Sequence, residues 1–333
     1  ALSTVAGGNH PAPGKKGGKS NMLLKQLTEV YDILDSSTAS GETVAAYLRS
    51  IKPDANIEIE VLSGAKGSTD MVKIRIPGKN GKTNGGSAPT IGLLGRLGGL
   101  GARPEMTGFV SDGDGALVAL TLAAKLLDMQ TKGGVLEGDV FISTHVCPDA
   151  PTPPHKPVPF MGSPLDMAQV NRAEVTDELD AILVVDTTKG NRIINTRGFA
   201  ISPTVKEGYI LKVSDDVLDI MQTTTGQLPQ VFALSQQDIT PYGNGLYHLN
   251  SILQPATATK APVIGVAITT ETTVAGCATG ATHFVDCEEA ARFMLEVAKY
   301  FGKGDCKFYD EEEYALIQKL YGSMEHFQTK GNN

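Results

Sequence analysis

The stretch Val140-Phe-Ile-Ser-Thr-His145-Val-Cys147-Pro-Asp149-Ala-Pro-Thr-Pro-Pro-His155 decides how this chain is read. It opens as an apolar β run. It closes on four side chains able to ligate a metal or move a proton: His145, Cys147, Asp149 and His155. The prolines from Pro148 to Pro157 fix φ and stiffen the segment. A polar cluster on a stiff loop after an apolar strand is where α/β sheets place chemistry. The simpler alternative is a proline-rich connection with two surface histidines, so the neighbouring segments must decide.

Outward from this stretch, helical and strand periods alternate. Apolar residues at 23, 24, 27, 30, 31, 33 and 34 form a helical stripe, and Ser40-Gly-Glu opens a second helix over 43–51. Residues 57–62 and 71–76 alternate as an antiparallel strand pair. Residues 90–94, 140–144, 181–186 and 263–269 are short apolar runs suited to buried parallel strands. Residues 199–213 read as one or two strands and 231–234 as another. Helices are expected over 116–129, 215–225, 287–301 and 314–327. Strands alternating with helices imply a mostly parallel central sheet with helices on both faces.

Chemistry-bearing residues fall where such a sheet binds ligands. Arg96 follows the 90–94 strand. Asp112 and Asp114 lie in Val110-Ser-Asp-Gly-Asp-Gly-Ala, before an apolar helix. Helix capping accounts for one aspartate more easily than for two, at about 1 kcal/mol. His145 and Asp149 follow the next strand, Asp186 ends another, and His283 lies in a loop after the last. Asp112, Asp186, His283 and His155 would supply a divalent-metal shell, with zinc the first choice. A thiolate at Cys147 is the rival nucleophile.

Composition narrows the rest. The chain has 333 residues, 41% hydrophobic and 20% charged, with net charge −8. That balance suits a globular protein and gives no nucleic-acid footprint. No apolar run is long enough for a membrane span. Four cysteines without a CxxC pair argue against a zinc knuckle. Residues 1–21 are rich in glycine, proline and lysine and poor in apolar groups, too little to order themselves. They are expected to be an extended tail docked on a neighbouring subunit, ahead of a single domain over 22–330. The compartment is cytoplasmic by default, or extracellular if Ala1 follows a cleaved signal peptide.

Several strings resemble the family known as domain of unknown function 1177: Gly95-Arg-Leu-Gly-Gly-Leu-Gly, Val110-Ser-Asp-Gly-Asp-Gly-Ala, Thr144-His-Val-Cys-Pro-Asp-Ala-Pro-Thr, Asp186-Thr-Thr-Lys-Gly-Asn-Arg and Asp238-Ile-Thr-Pro-Tyr-Gly-Asn-Gly-Leu-Tyr-His. That family implies no activity. More distantly, the chain is similar to zinc aminopeptidases and carboxypeptidases, in which a Ser-Gly-x-Glu segment, here Ser40-Gly-Glu, precedes the second helix. That likeness implies a zinc-peptidase-like fold. Asp112 matches its bridging aspartate, Asp186 a later acidic ligand and His283 the last histidine. Its His-x-Asp pair is replaced by Arg96-Leu-Gly, and its Glu-Glu pair by Cys147-Pro-Asp.

Two functions follow as expectations. One is a metal-assisted hydrolase of a small amide or peptide, with His145 or Asp149 as acid/base and Arg96 orienting a substrate carboxylate. The other is a catalytically inactive scaffold that self-assembles into a homo-oligomer, filament or tube through residues 1–21.

Overall fold

Four apolar runs build the centre of the sheet. They are β3 (Ile91–Gly95), β5 (Val140–Val146), β7 (Ala181–Thr187) and β11 (Val263–Thr269), parallel in the order β5-β3-β7-β11. Nearly every residue in them is buried, as strands covered on both faces require. The computed structural model describes residues 22–96, 98, 100–156, 159–249, 251–276 and 278–328. The expected tail, 1–21, lies outside the described residues.

Antiparallel strands extend both edges. The hairpin β1 (Asn56–Gly64) and β2 (Gly67–Ile76) pairs from Asn56↔Arg75 to Gly64↔Gly67, and β2 joins β5. At the other edge β11 pairs with β8 (Gly198–Ile201) and touches β9 (Val205–Lys206), which pairs with β10 (Tyr209–Ile210). The expected one or two strands over 199–213 are therefore three short ones. The expected strand over 231–234 is a single bridge from Val231 to Ile201. A separate two-residue pair joins β4 (Ala102–Arg103) to β6 (Ala150–Pro151).

Helices cover both faces, unequally. One face carries α1 (Leu24–Leu34), α2 (Gly41–Ile51), α3 (Asp114–Thr131), α5 (Asp215–Thr225) and α6 (Phe284–Lys303) over a continuous aliphatic core. Leu117, Leu120, Leu122 and Leu126 of α3 are almost wholly buried between the sheet, α1, α2 and α6. Each such burial stabilises by roughly 1.5–3 kcal/mol. Ser40 caps α2 in a reciprocal box with Thr43, which explains why Ser-Gly-Glu starts a helix there. The other face has α4 (Met167–Glu174) and short 3-10 turns over a smaller core. No strong apolar stripe announces α4; it is held by a capping box between Asp166 and Gln169. The C-terminal helix α7 (Glu311–Tyr321) stops at Gly322 (φ 82), short of the expected 327.

Candidate active site

Topology makes a crevice at the strand ends. The chain passes from β3 through α3 to β5 on one side, then through α4 to β7 on the other side of β3. The two crossover helices lie on opposite faces. They part above the carboxyl ends of β3 and β7, the switch point at which such sheets bind ligands. Gly115 lets α3 begin there: a Cβ on it would lie 2.5 Å from the Arg96 carbonyl oxygen and 2.7 Å from that of Val185.

Period-two alternation sets which groups face which helices. In β7, Ile182 and Val184 face the smaller core, and Asp186 shares their face. In β5, Phe141 does so, followed on the same face by Ser143 and His145. The aliphatic face continues through Leu183 and Val185. One face is thus apolar to the strand ends, while the other turns polar.

On the polar face, Arg96 is sealed beneath α4. Its Nε lies 2.7 Å from Glu174 Oε1, both side chains at most 1% exposed. Its Nη2 donates to Asn171 Oδ1 at 2.7 Å, and it also meets Met167. Burial raises the pKa of Glu174 while Arg96 pulls it down. His145 is buried beside Thr69, whose Oγ1 lies 2.9 Å from Nδ1 and donates to the Val146 carbonyl at 3.0 Å. With that single hydroxyl proton committed, the consistent tautomer has Nδ1–H donating to Thr69. Burial, then Arg96, lowers the His145 pKa to about 4, so the imidazole is neutral near pH 7.

Three carboxyl groups meet from the two faces. Asp186 accepts from Ser251 Oγ at 2.9 Å and from the Thr187 amide at 2.7 Å. Burial pushes it up to about 6 against those bonds. Asp114, wholly buried, accepts from Thr282 Oγ1 at 2.7 Å and lies 3.3 Å from Lys189 Nζ. Burial raises it to about 6, with Lys189 opposing. Asp112 is half-buried and accepts no side-chain hydrogen bond among the described residues. Burial first, then the charges of Asp186 and Asp114, push it up to about 7. Of the three, Asp112 is the acid that most readily keeps its proton near neutrality.

A cavity of about 560 Å³ opens on the α4 side, within the range of small-molecule sites. Phe160, Met167, Asn171, Arg172, Tyr242 and Gln254 are among its walls. Tyr242 lies near Ser251, whose Oγ donates to Asp186, and burial raises the phenol pKa.

The structure brings Asp112, Asp186, His145 and Arg96 to the strand ends, with His283 at their margin near Asp114, and leaves Asp149 and His155 away from them. Asp149 is exposed and pairs with Arg103 at 2.6 Å, so it is not placed as acid/base. His155 is on the exposed proline loop beside Phe160. His283 precedes α6, half exposed, with Nδ1 3.2 Å from Asp286. Arg96 is corrected too: an internal carboxylate occupies the guanidinium expected to hold substrate. Cys147 is buried and its thiol pKa raised, the opposite of an activated thiolate.

The expected metal shell of Asp112, Asp186, His283 and His155 therefore does not fit a divalent ion. Asp114 is taken by Lys189, and among the described residues no three His, Cys, Asp or Glu side chains are grouped to hold a metal. Glu174, Lys189 and Ser251 were missed. Lys189 stands in the string Asp186-Thr-Thr-Lys, where three residues after a strand-end acid was its only signal. Nothing in sequence marks Glu174.

No curated protein matches the chain. Among solved structures, it is similar to a glutaminyl cyclase from an Acidobacteriales bacterium at 13% identity and TM-score 0.45, covering 89% of this chain and 100% of that one. It is similar to a Macrostomum lignano glutaminyl cyclase at 10% and 0.49, covering 89% and 96%. The Legionella pneumophila LapA aminopeptidase gives 12% and 0.45, covering 86% and 72%. The family model described as protein of unknown function DUF1177 matches residues 60–331, well over half the chain, and the protein belongs to that family.

Proposed function

We propose that this protein is an acid–base enzyme of hydrolase type acting on a small amide or peptide, with Asp112 as the proton carrier. One observation supports it above the others: Asp112 is an unpartnered, reachable carboxyl set between two buried acids, with a pKa near the working pH. Perturbed groups of this kind concentrate at functional sites, because proton transfer is fastest from a group poised near ambient pH. Burial, then the charges of Asp186 and Asp114, favour the protonated form of Asp112. Tyr242 on the wall of the 560 Å³ cavity lies near Ser251, which donates to Asp186, so the cavity comes up to the acids on this side. Lys66 and Arg172 on the cavity wall have no ion-pair partner among the described residues, which favours substrates with an anionic group. No step is assigned to a metal, since the donor set does not suit one.

Incubating the protein with a panel of dipeptides and N-acyl amino acids, with product detection by mass spectrometry, tests the reading. A product formed by the wild type and abolished in both Asp112→Asn and Asp186→Asn supports it. Turnover unchanged in both variants would sink it.

A second reading is the scaffold. It is favoured by the Arg96–Glu174 and Lys189–Asp114 pairs, which fill the crevice from inside. Light scattering on the full chain and on residues 22–333 tests its tail-mediated form; equal particle sizes count against it.

A further inference from the structure

Lys189 has no part in the acid–base reading above, yet its place is among the most constrained in the molecule. It follows β7 by two residues. The next residue, Gly190, is clamped: its amide donates to Thr270 Oγ1 at 2.8 Å, and a Cβ on it would lie 2.1 Å from the Thr270 carbonyl oxygen. That fit fixes the backbone from which Lys189 reaches inward. Its side chain is 6% exposed. The ammonium lies 3.3 Å from Asp114 Oδ2 and donates to the Ala281 carbonyl at 3.4 Å. Asp114 is completely buried at the start of α3, and its other oxygen is held by Thr282. Placing an ammonium this deep costs several kcal/mol of hydration, so it persists only where fixed negative charge repays it.

We infer that Lys189 is the built-in cation of the strand-end acids, and that this ammonium does for Asp114 and Asp112 what a bound metal ion does for carboxylates gathered at such a sheet end. Buried Cys287 of α6 and half-exposed His283 also face the Lys189–Asp114 pair. Asp114 and Asp112 come from the start of α3, and the Ala281 carbonyl and Thr282 from the loop before α6. Arg96, another buried cation at the strand ends, is taken by Glu174. The shell the sequence suggested is absent for this reason: one acid is already neutralised from within the chain. Lys189 is accordingly a positioning residue, which holds the acids without touching substrate.

Chemical rescue tests this without any substrate, so it can fail while the acid–base reading stands, and the reverse. The variants are Lys189→Ala, which leaves a space the length of the lost side chain, and Lys189→Met, which fills it without charge. Melting temperature is read with and without propylammonium chloride, against sodium chloride at equal ionic strength. Both variants are expected to melt roughly 5–10 °C below the wild type, as for a broken buried pair. Propylammonium should raise Lys189→Ala selectively, leaving Lys189→Met and the wild type unmoved. Dialysis against EDTA should leave the wild-type melting temperature unchanged. The proposal is overturned if Lys189→Met is as stable as the wild type. It is overturned equally if propylammonium fails to restore Lys189→Ala, folded or not. A wild type that carries one divalent ion per chain, lost with stability on chelation, also overturns it.

Discussion

The two faces of the central sheet are built from the same strands and answer to different rules. Beneath α3 and α6, Leu93, Val185, Val266 and Phe293 continue an aliphatic core to the strand ends. Beneath α4, the alternate positions begin with Phe141, Ile182 and Val184 and finish as Ser143, His145 and Asp186, joined by Arg96 and Glu174. The first face follows from transfer free energy alone. The second buries charge, which stability does not require: a well-packed apolar replacement is often neutral or better. The difference teaches where selection for something other than folding has acted.

The largest effects should come from testing that contrast directly. Phe293→Ala on the aliphatic face should cost about 3–5 kcal/mol, through lost burial and a cavity. Glu174→Ala on the polar face should cost a similar 3–5 kcal/mol for the opposite reason, because Arg96 is left buried and unpaired. Replacing the pair together, as Arg96→Met with Glu174→Leu, should restore most of that loss. Denaturant titration of the three proteins measures it. A double replacement as unstable as Glu174→Ala would mean that the pair is needed for folding, and the contrast between the faces would collapse.

Asp112→Asn separates function from stability. Loss of a general acid–base group typically slows turnover by about 10²–10⁴-fold. The denaturation midpoint at pH 7 should hold steady or rise, since one member of a crowded group of acids loses its charge. A variant that retains turnover, or unfolds, would make Asp112 a structural aspartate like any helix cap.

These expectations also mark what the sequence could show. The central strands were legible because 140–144, 181–186 and 263–269 are unbroken apolar runs, and burial on both faces leaves that mark. Asp112 and Asp186 were legible because one precedes an apolar helix and the other ends an apolar strand. The partners of these acids were not. Arg96 was expected to face substrate, yet Glu174 claims it from a helix with no apolar stripe, 78 positions along the chain. Asp149 and His155 looked catalytic on the proline loop, but a loop's direction is set by tertiary contacts such as the Arg103–Asp149 pair. The short strands at 205–206 and 209–210 turn on Glu207 (φ 47) and Gly208 (φ 82), too small a unit for periodicity to resolve.

Thr69→Val probes the polar face more gently. Valine keeps the volume and removes the hydroxyl that meets His145 Nδ1 and the Val146 carbonyl. Leaving a buried imidazole N–H without its acceptor should cost about 1–3 kcal/mol. Serine at 69 should recover most of it, and equal stability of the valine variant would refute the tautomer assigned to His145.

The finest test uses pH, because the acids and the histidine at the strand ends oppose each other. Asp112 has its pKa raised from 3.8 to about 7. Between those values the folded state keeps a proton that the unfolded state has lost. The stability this group contributes is therefore full below pH 4 and drains away as pH rises through 7. His145 has its pKa lowered from 6.5 to about 4. Its contribution is full above pH 6.5 and is lost as pH falls through 4. Asp114 and Asp186, both raised to about 6, act in the same sense as Asp112. Together the three acids outweigh His145, so wild-type stability should rise as pH falls from 7 toward 4. Asp112→Asn removes the largest acid contribution, so that variant should gain clearly less on acidification than the wild type. Urea midpoints for both proteins at half-unit steps across this range measure the difference. Parallel curves would mean that Asp112 holds no proton near neutrality, leaving the strand ends without their proton carrier.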